Sequence, residues 1–144
     1  MPIAALDLGR RRIGVAVTDA AAMGVHPVGI VERRALKHDL DAIAAMLRDR
    51  QVSTIVVGLP LNMDGSEGPA AHSARKFAER LREVLLIDVE MFDERLTSFE
   101  ARERLADMPA RKGTRKTGLD ALAAVVILEG WMQAHPEKIP RPSS

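Results

Sequence analysis

The apolar residues at the start of the chain fall into three short blocks, residues 2–8, 13–19 and 24–31, separated by only a few positions each. Runs of this length with such short connections predict three strands in an antiparallel meander. The period then changes. Leu36, Leu40, Ile43 and Leu47 recur at helical spacing, which predicts an amphipathic helix over 36–50 with these four side chains inward. Residues 53–57 are a β-branched run closed by Gly58-Leu59-Pro60, the composition of a central strand covered on both faces. Asn62-Met63-Asp64-Gly65 reads as an exposed turn, and Pro69 suits the first turn of a helix whose buried stripe is Ala74, Phe77, Leu81 and Leu85. A fifth strand follows over 87–92. Thr97 and Glu100 have capping-box spacing, which predicts a short helix over 98–107 with Ala101 and Leu105 inward. Residues 119–132 contain the unbroken apolar stretch from Ala121 to Leu128 and predict a helix buried on most sides.

Three strands in a meander, then alternating helices and strands, define an α/β fold with one five-stranded mixed sheet. Its first three strands are antiparallel, its first strand is central beside the strand at 53–57, and helices pack on its faces. A single domain is expected over residues 1–135, with residues 136–144, rich in proline and ending in two serines, as a flexible tail. In open sheets with parallel strands, ligands gather at the carboxyl ends of the strands. Asp7, Asp93 and Glu94 stand at such ends.

Composition narrows the function. The 144 residues contain no cysteine, which excludes disulfide scaffolds, thiolate nucleophiles and cysteine zinc sites. No apolar run approaches the roughly 20 residues of a membrane span, and the first residues lack the pattern of a secretion signal, so a cytoplasmic protein without membrane attachment is expected. The formal net charge of +1 excludes a globally basic nucleic-acid binder, yet the basic residues cluster. Arg10, Arg11 and Arg12 form one group, and Arg111, Lys112, Arg115 and Lys116 form a second. Each is either a solvated surface or a contact for phosphates. With only 3% aromatic residues, base stacking contributes little, and Trp131, Phe77, Phe92 and Phe99 read as core.

An ionised carboxylate inside an apolar strand carries a desolvation cost of several kcal/mol unless something compensates it. Asp7, in Leu6-Asp7-Leu8-Gly9, is in that position. Taken alone, the segment fits a divalent-metal site and an Asp-x-Gly turn equally well. Asp120 by itself reads as an acid in the first turn of a helix, gaining roughly 0.3–1 kcal/mol from the helix dipole. Asp93 and Glu94 are adjacent, so they face opposite ways, and the longer arm of Glu94 is the better placed to reach inward.

Four segments together are distinctive. Leu6-Asp7-Leu8-Gly9 with Arg12-Ile13-Gly14-Val15-Ala16, Val57-Gly58-Leu59-Pro60-Leu61-Asn62-Met63-Asp64-Gly65, Asp93-Glu94-Arg95-Leu96-Thr97, and Asp120 with Ala123-Ala124 and Ile127-Leu128 occur in this order along nearly the whole chain. In this the chain resembles the YqgF/RuvX family, whose members are named both as Holliday junction resolvases and as the nuclease that processes the 5′ end of the 16S ribosomal RNA precursor. Departures are small: Thr18-Asp19 stands where Ser-Asp is usual, and Leu6 where Ile is common.

The resemblance implies a ribonuclease H-like fold and a metal-dependent endonuclease acting on structured RNA or branched DNA. It makes Asp7, Glu94 and Asp120 the acidic cluster, with Asp93 assisting, around Mg²⁺ or Mn²⁺. Two-metal phosphodiester chemistry places the ions about 3.5–4 Å apart and draws its carboxylates from separate elements, so their distance in sequence is expected. Arg10, Arg11, Arg12, Asn62 and the segment from Arg111 to Lys116 are the expected nucleic-acid contacts, the last closing over phosphates beside the Asp120 helix. Junction resolution would require a homodimer. Two other readings use the same residues: a weakly catalytic nucleic-acid-binding factor in transcription or ribosome assembly, and a nucleotide-phosphate binder. The latter rests on the likeness of Asp-x-Gly and its hairpin to the first phosphate loop of actin-like ATPases and sugar kinases, which need two such domains where this chain has room for one.

Overall fold

A computed structural model of the chain describes residues 2–19, 24–96 and 115–138, with the side chains of residues 115–120 excepted. Five strands, β1 (Ile3–Leu8), β2 (Arg12–Thr18), β3 (Val25–Glu32), β4 (Thr54–Leu59) and β5 (Asp88–Asp93), form one sheet in the order β3-β2-β1-β4-β5. β3, β2 and β1 are antiparallel, and β4 and β5 run parallel to β1, so the expected mixed sheet with a central first strand is what the chain forms. Helix α1 (Leu36–Leu47) leads from β3 to β4, α2 (Pro69–Leu85) from β4 to β5, and α3 (Arg115–Ala134) packs on the sheet after β5.

Strand alternation sorts the core into two layers. On β1, Ala4 and Leu6 join Ile55 and Val57 of β4 under Leu40, Ile43, Phe77 and Leu81 of α1 and α2. Ile3 and Ala5, with Val56 and Phe92, lie instead under Ile127, Leu128 and Trp131 of α3. Thr18 ties the end of β2 to the start of β1: its buried hydroxyl accepts the Ile3 backbone N–H at 2.9 Å.

Several boundaries differ from the sequence expectation. α1 ends at Leu47 and a 3₁₀ turn, Arg48–Arg50, completes the segment, with Gln51 left-handed at φ 52°. Leu36, expected inward, is exposed, because the helix has just begun there and no layer covers its first turn. β4 runs through Gly58 to Leu59 instead of stopping at Val57. α3 begins at Arg115, upstream of Gly118, instead of at 119. A glycine in a helix interior costs only about 1 kcal/mol relative to alanine, so it need not end a helix whose apolar face is packed on a sheet. The tail expected from 136 starts with a 3₁₀ turn, Pro136–Lys138, and the Lys138 ammonium donates to Glu90 of β5 at 2.8 Å, which anchors it. The helix expected over 98–107 lies outside the described residues, as do Arg111 and Lys112.

Candidate active site

Asp7 is the third residue of the Ile3, Ala5, Asp7 alternation, so its side chain is on the α3 face of the sheet. Both of its lateral neighbours are glycines. Gly14 of β2 is its partner in the antiparallel register. On the other side Leu6 pairs with Val57 of β4, and the next step brings Asp7 beside Gly58. The half-buried carboxylate therefore stands on the central strand in a stretch of sheet from which side chains on either hand are missing.

Glu94 fills the gap on the β4 side. A Cβ on Gly58 would collide with the Glu94 carboxylate, would come within 3.1 Å of its Cδ, and would lie 2.7 Å from Cδ1 of Ile127 on α3. Gly58 is thus required by close approach: the carboxyl group of Glu94 lies over its backbone, between β4 and α3. Two acids from different elements, Asp7 from β1 and Glu94 from the 3₁₀ turn Glu94–Leu96 after β5, reach the same glycine on the same face.

Asp93 goes the other way. It follows Val89 and Met91 in the alternation toward α1 and α2, and it is held by Arg95, whose backbone N–H donates at 2.9 Å and whose Nη2 donates to the second carboxyl oxygen at 2.8 Å. These bonds from Arg95, side chain first, hold the Asp93 carboxyl below its ordinary value near 3.8, and Asp93 in turn raises Arg95. Arg95 also donates to the Met63 carbonyl at 3.3 Å and lies 3.5 Å from where a Cβ on Gly65 would be, at φ 87°. Asn62 belongs to the same turn. Its side-chain amide donates to the Ser66 hydroxyl at 2.9 Å on the exposed side of that turn. Asp64 accepts from that hydroxyl and from the Ser66 N–H, which lowers its carboxyl as well, the hydroxyl bond being the larger cause.

The backbone of Asp120 lies on α3, four and seven residues before Ala124 and Ile127, both buried against the sheet. That spacing puts it on the helical stripe that faces β1 and β2. Among the described residues no group of three acidic or histidine side chains gathers to hold a metal ion; the side chain of Asp120 is outside them.

The basic residues divide. Arg10 and Arg11 are exposed at the tip of the β1–β2 hairpin. The hairpin is tight because Gly9 donates to the Arg12 carbonyl at 2.9 Å, and a Cβ there would lie 2.7 Å from that oxygen. Arg12 is half-buried, and its Nε donates to Glu32 across the β2–β3 pair at 2.9 Å. Arg115 and Lys116 are on the first turn of α3, on helix instead of loop.

Sequence reasoning did not single out three features: Gly58 as the floor of the site, Arg95 as the residue that joins the 62–66 turn to the end of β5, and the Arg33–Asp39 pair near the hairpin. For Gly58 the cue was present, since a glycine inside a β-branched run marks close approach.

A mixed sheet of this order, with Asp7 near the end of its central strand, Glu94 coming in from the turn after β5 and a helix packed on that face, defines the ribonuclease H-like fold. Solved structures agree on the fold: RuvC from Thermus thermophilus superposes with a TM-score of 0.52 at 15% identity, covering 93% of this chain and 96% of that one. A Fowlpox virus resolvase in complex with Holliday junction DNA gives 0.57 at 12% identity, covering 93% and 98%. The family described as RuvX, Holliday junction resolvase, matches residues 1–134, and the chain belongs to that family. It is 50% identical over 127 residues to a protein of Anaeromyxobacter sp. (strain Fw109-5) named "Putative pre-16S rRNA nuclease", covering 88% of this chain and 93% of that one. A protein of the same name from Myxococcus xanthus is 44% identical over 130 residues, covering 90% and 86%.

Proposed function

We propose that the protein is a metal-dependent endonuclease that hydrolyses phosphodiester bonds in structured RNA and processes the 5′ end of the 16S ribosomal RNA precursor. The observation that carries this reading is that Asp7, by strand register, and Glu94, by its carboxyl group, come to Gly58 from different elements, in a chain whose close relatives bear the nuclease name. The donor set is hard oxygen, suited to Mg²⁺ or Mn²⁺: the missing side chain at Gly58 admits the Glu94 carboxyl beside Asp7, and Gly14 presents no side chain on the other hand. Asp7, Glu94 and, from α3, Asp120 would hold the metal. When bound, such ions lower the pKa of an attacking water and stabilise charge on the leaving oxygen.

The chain's own residues supply position. β1 fixes Asp7 between two glycines, so its carboxylate is held by strand register and not by a mobile loop. Ile127 of α3 and the Glu94 carboxyl both lie against Gly58, so the helix layer borders the site there. Arg10 and Arg11 at the hairpin tip, and Arg115 and Lys116 at the start of α3, bring positive charge to the phosphates on either side. Asp93, already satisfied by Arg95, positions the turn at 62–66 instead of carrying a metal. On this reading the protein works in the cytoplasm, with its RNA.

The test incubates purified protein with end-labelled precursor ribosomal RNA and with four-way DNA junctions, under Mn²⁺, Mg²⁺ or chelator, beside Asp7→Asn. RNA cut at a defined 5′ position only with metal, and at least 10³-fold more slowly by Asp7→Asn, is the expected result. Preferential cutting of junctions favours a resolvase, which needs two active sites and so a dimer in sedimentation. Binding without cutting favours a transcription or assembly factor, and nucleotide hydrolysis alone favours the phosphate-binder reading.

A further inference from the structure

On the sheet face opposite α3 there is an open groove of about 660 Å³ between the β1–β2 hairpin, the start of α1 and the start of α2. Leu8, Gly9 and Pro60 line it; Leu8 and Gly9 follow directly on Asp7, and Pro60 stands two residues after Gly58. The groove therefore begins where the carboxylate site ends, at the same sheet edge. Two residues of strand, about 7 Å, separate Asp7 from Gly9.

Three arginines line it: Arg10, Arg33 and Arg34. Among the described residues the only acid in the lining is Asp39, whose side chain is 4% exposed. Asp39 accepts the Arg34 backbone N–H at 3.0 Å, lies 3.0 Å from His38 Nδ1 and stands 3.8 Å from Arg33 Nε. Arg33 is fixed further: its Nη1 donates to the Gly9 carbonyl at 2.8 Å and its guanidinium stands 5.7 Å above the Phe77 ring. Arg33 thus binds the hairpin to both helices. Among the described residues the guanidiniums of Arg10 and Arg34 have no ion pair, so the groove carries two uncompensated positive charges. No aromatic ring of the described residues lines it, so they offer nothing on which a base would stack.

We propose that this groove binds the sugar-phosphate backbone of the nucleic acid flanking the cut, Arg10 and Arg34 each taking a phosphate while Arg33, held by Asp39, fixes the wall between them. Guanidinium forks match phosphate oxygens in a bidentate fashion, and contacts of this kind set register without reading sequence. The inference rests on the nuclease reading for the presence of nucleic acid at this edge. It adds that the substrate crosses the edge of the sheet, from the α3 face to the α1 and α2 face.

The absence of cysteine allows a single thiol to report on the groove. Ser73→Cys places one in its lining, and Glu83→Cys places one at the far end of the same helix as control, each in the Asp7→Asn background so that the RNA stays whole. A labelled precursor ribosomal RNA fragment, bound to saturation by fluorescence anisotropy, is expected to slow alkylation of the groove thiol at least five-fold and to leave the control thiol unchanged. Arg34→Ala keeps the backbone N–H that Asp39 accepts, so it leaves that bond in place. It is expected to weaken RNA binding and to reduce the slope of log K against log salt by about 0.7–0.9, with Arg34→Lys restoring the slope. Saturating RNA that leaves the groove thiol open, or an unchanged salt slope in Arg34→Ala, overturns the groove assignment. So does equal protection by inorganic phosphate at matched ionic strength. Protection of the groove thiol together with an absence of cleavage by the wild type overturns the nuclease reading and keeps the groove. Absence of any nucleic-acid binding overturns both.

Discussion

A methyl group on Gly58 would stand where the Glu94 carboxyl now lies, and it would also press on Ile127 from below. Glu94 is a flexible side chain that can swing away, whereas Ile127 is locked in the α3 layer. Gly58→Ala is therefore expected to cost about 1–3 kcal/mol, the range for an overpacked core position, and to abolish metal-dependent cleavage by displacing Glu94. Urea unfolding and the cleavage assay measure the two effects separately. Adding Glu94→Ala should return part of the stability and none of the activity; full recovery of stability would mean that Ile127 yields more easily than its packing indicates. At this scale the sequence was partly legible. Strand alternation alone says that Asp93 and Glu94 diverge, but which one meets Asp7 depends on the β4–β5 register and on the turn after β5. Both are set by packing and not by the two residues themselves.

Between elements, Arg95 ties the turn after β4 to the end of β5, through two oxygens of Asp93 and the Met63 carbonyl. Because the folded-state value of Asp93 lies below the ordinary value near 3.8, the ionised form is favoured by folding. Its contribution is present above the ordinary value and is lost as pH falls through the lowered one. The pair is open to solvent, so the effect on global stability is small. Arg95→Ala should return the Asp93 carboxyl to the ordinary range in an NMR titration and raise amide exchange in residues 62–66, with the sheet unaffected. An unmoved Asp93 titration would show that the backbone N–H, which the variant keeps, is the dominant partner. Elements of this kind were readable in kind and less so in extent. The turn composition of 62–65 was plain, while its tether at Arg95 was not, because a surface arginine two residues past an aspartate has no periodic signature. The start of α3 was placed late for the opposite reason: Gly118 is a strong local signal that tertiary packing overrides.

Over the whole molecule the two faces of the sheet are covered unequally. α1 and α2 share one face, whereas α3 packs across β1 to β4 on the other. The layering and strand order followed from hydrophobic period because each strand's alternation had to match a helix stripe. The site did not follow so directly, since the side chain of Asp120, proposed as its third acid, lies outside the described residues. Trp131 is the residue that seats α3. It is 1% exposed among Ile3, Ala5, Val56 and Phe92, and its indole Nε1 finds no hydrogen-bond partner among the described residues. Trp131→Ala is expected to cost about 3–5 kcal/mol from lost burial and a cavity. Trp131→Phe should be far milder, because an aromatic ring still fills most of the space. Circular dichroism in urea measures both variants. In the wild type, Trp131 is the single tryptophan, so its fluorescence reports the seating of α3. If Asp120 enters the site from that helix, cleavage and Trp131 fluorescence must fail at the same urea concentration. Activity that outlasts the fluorescence change would remove α3, and Asp120 with it, from the chemistry.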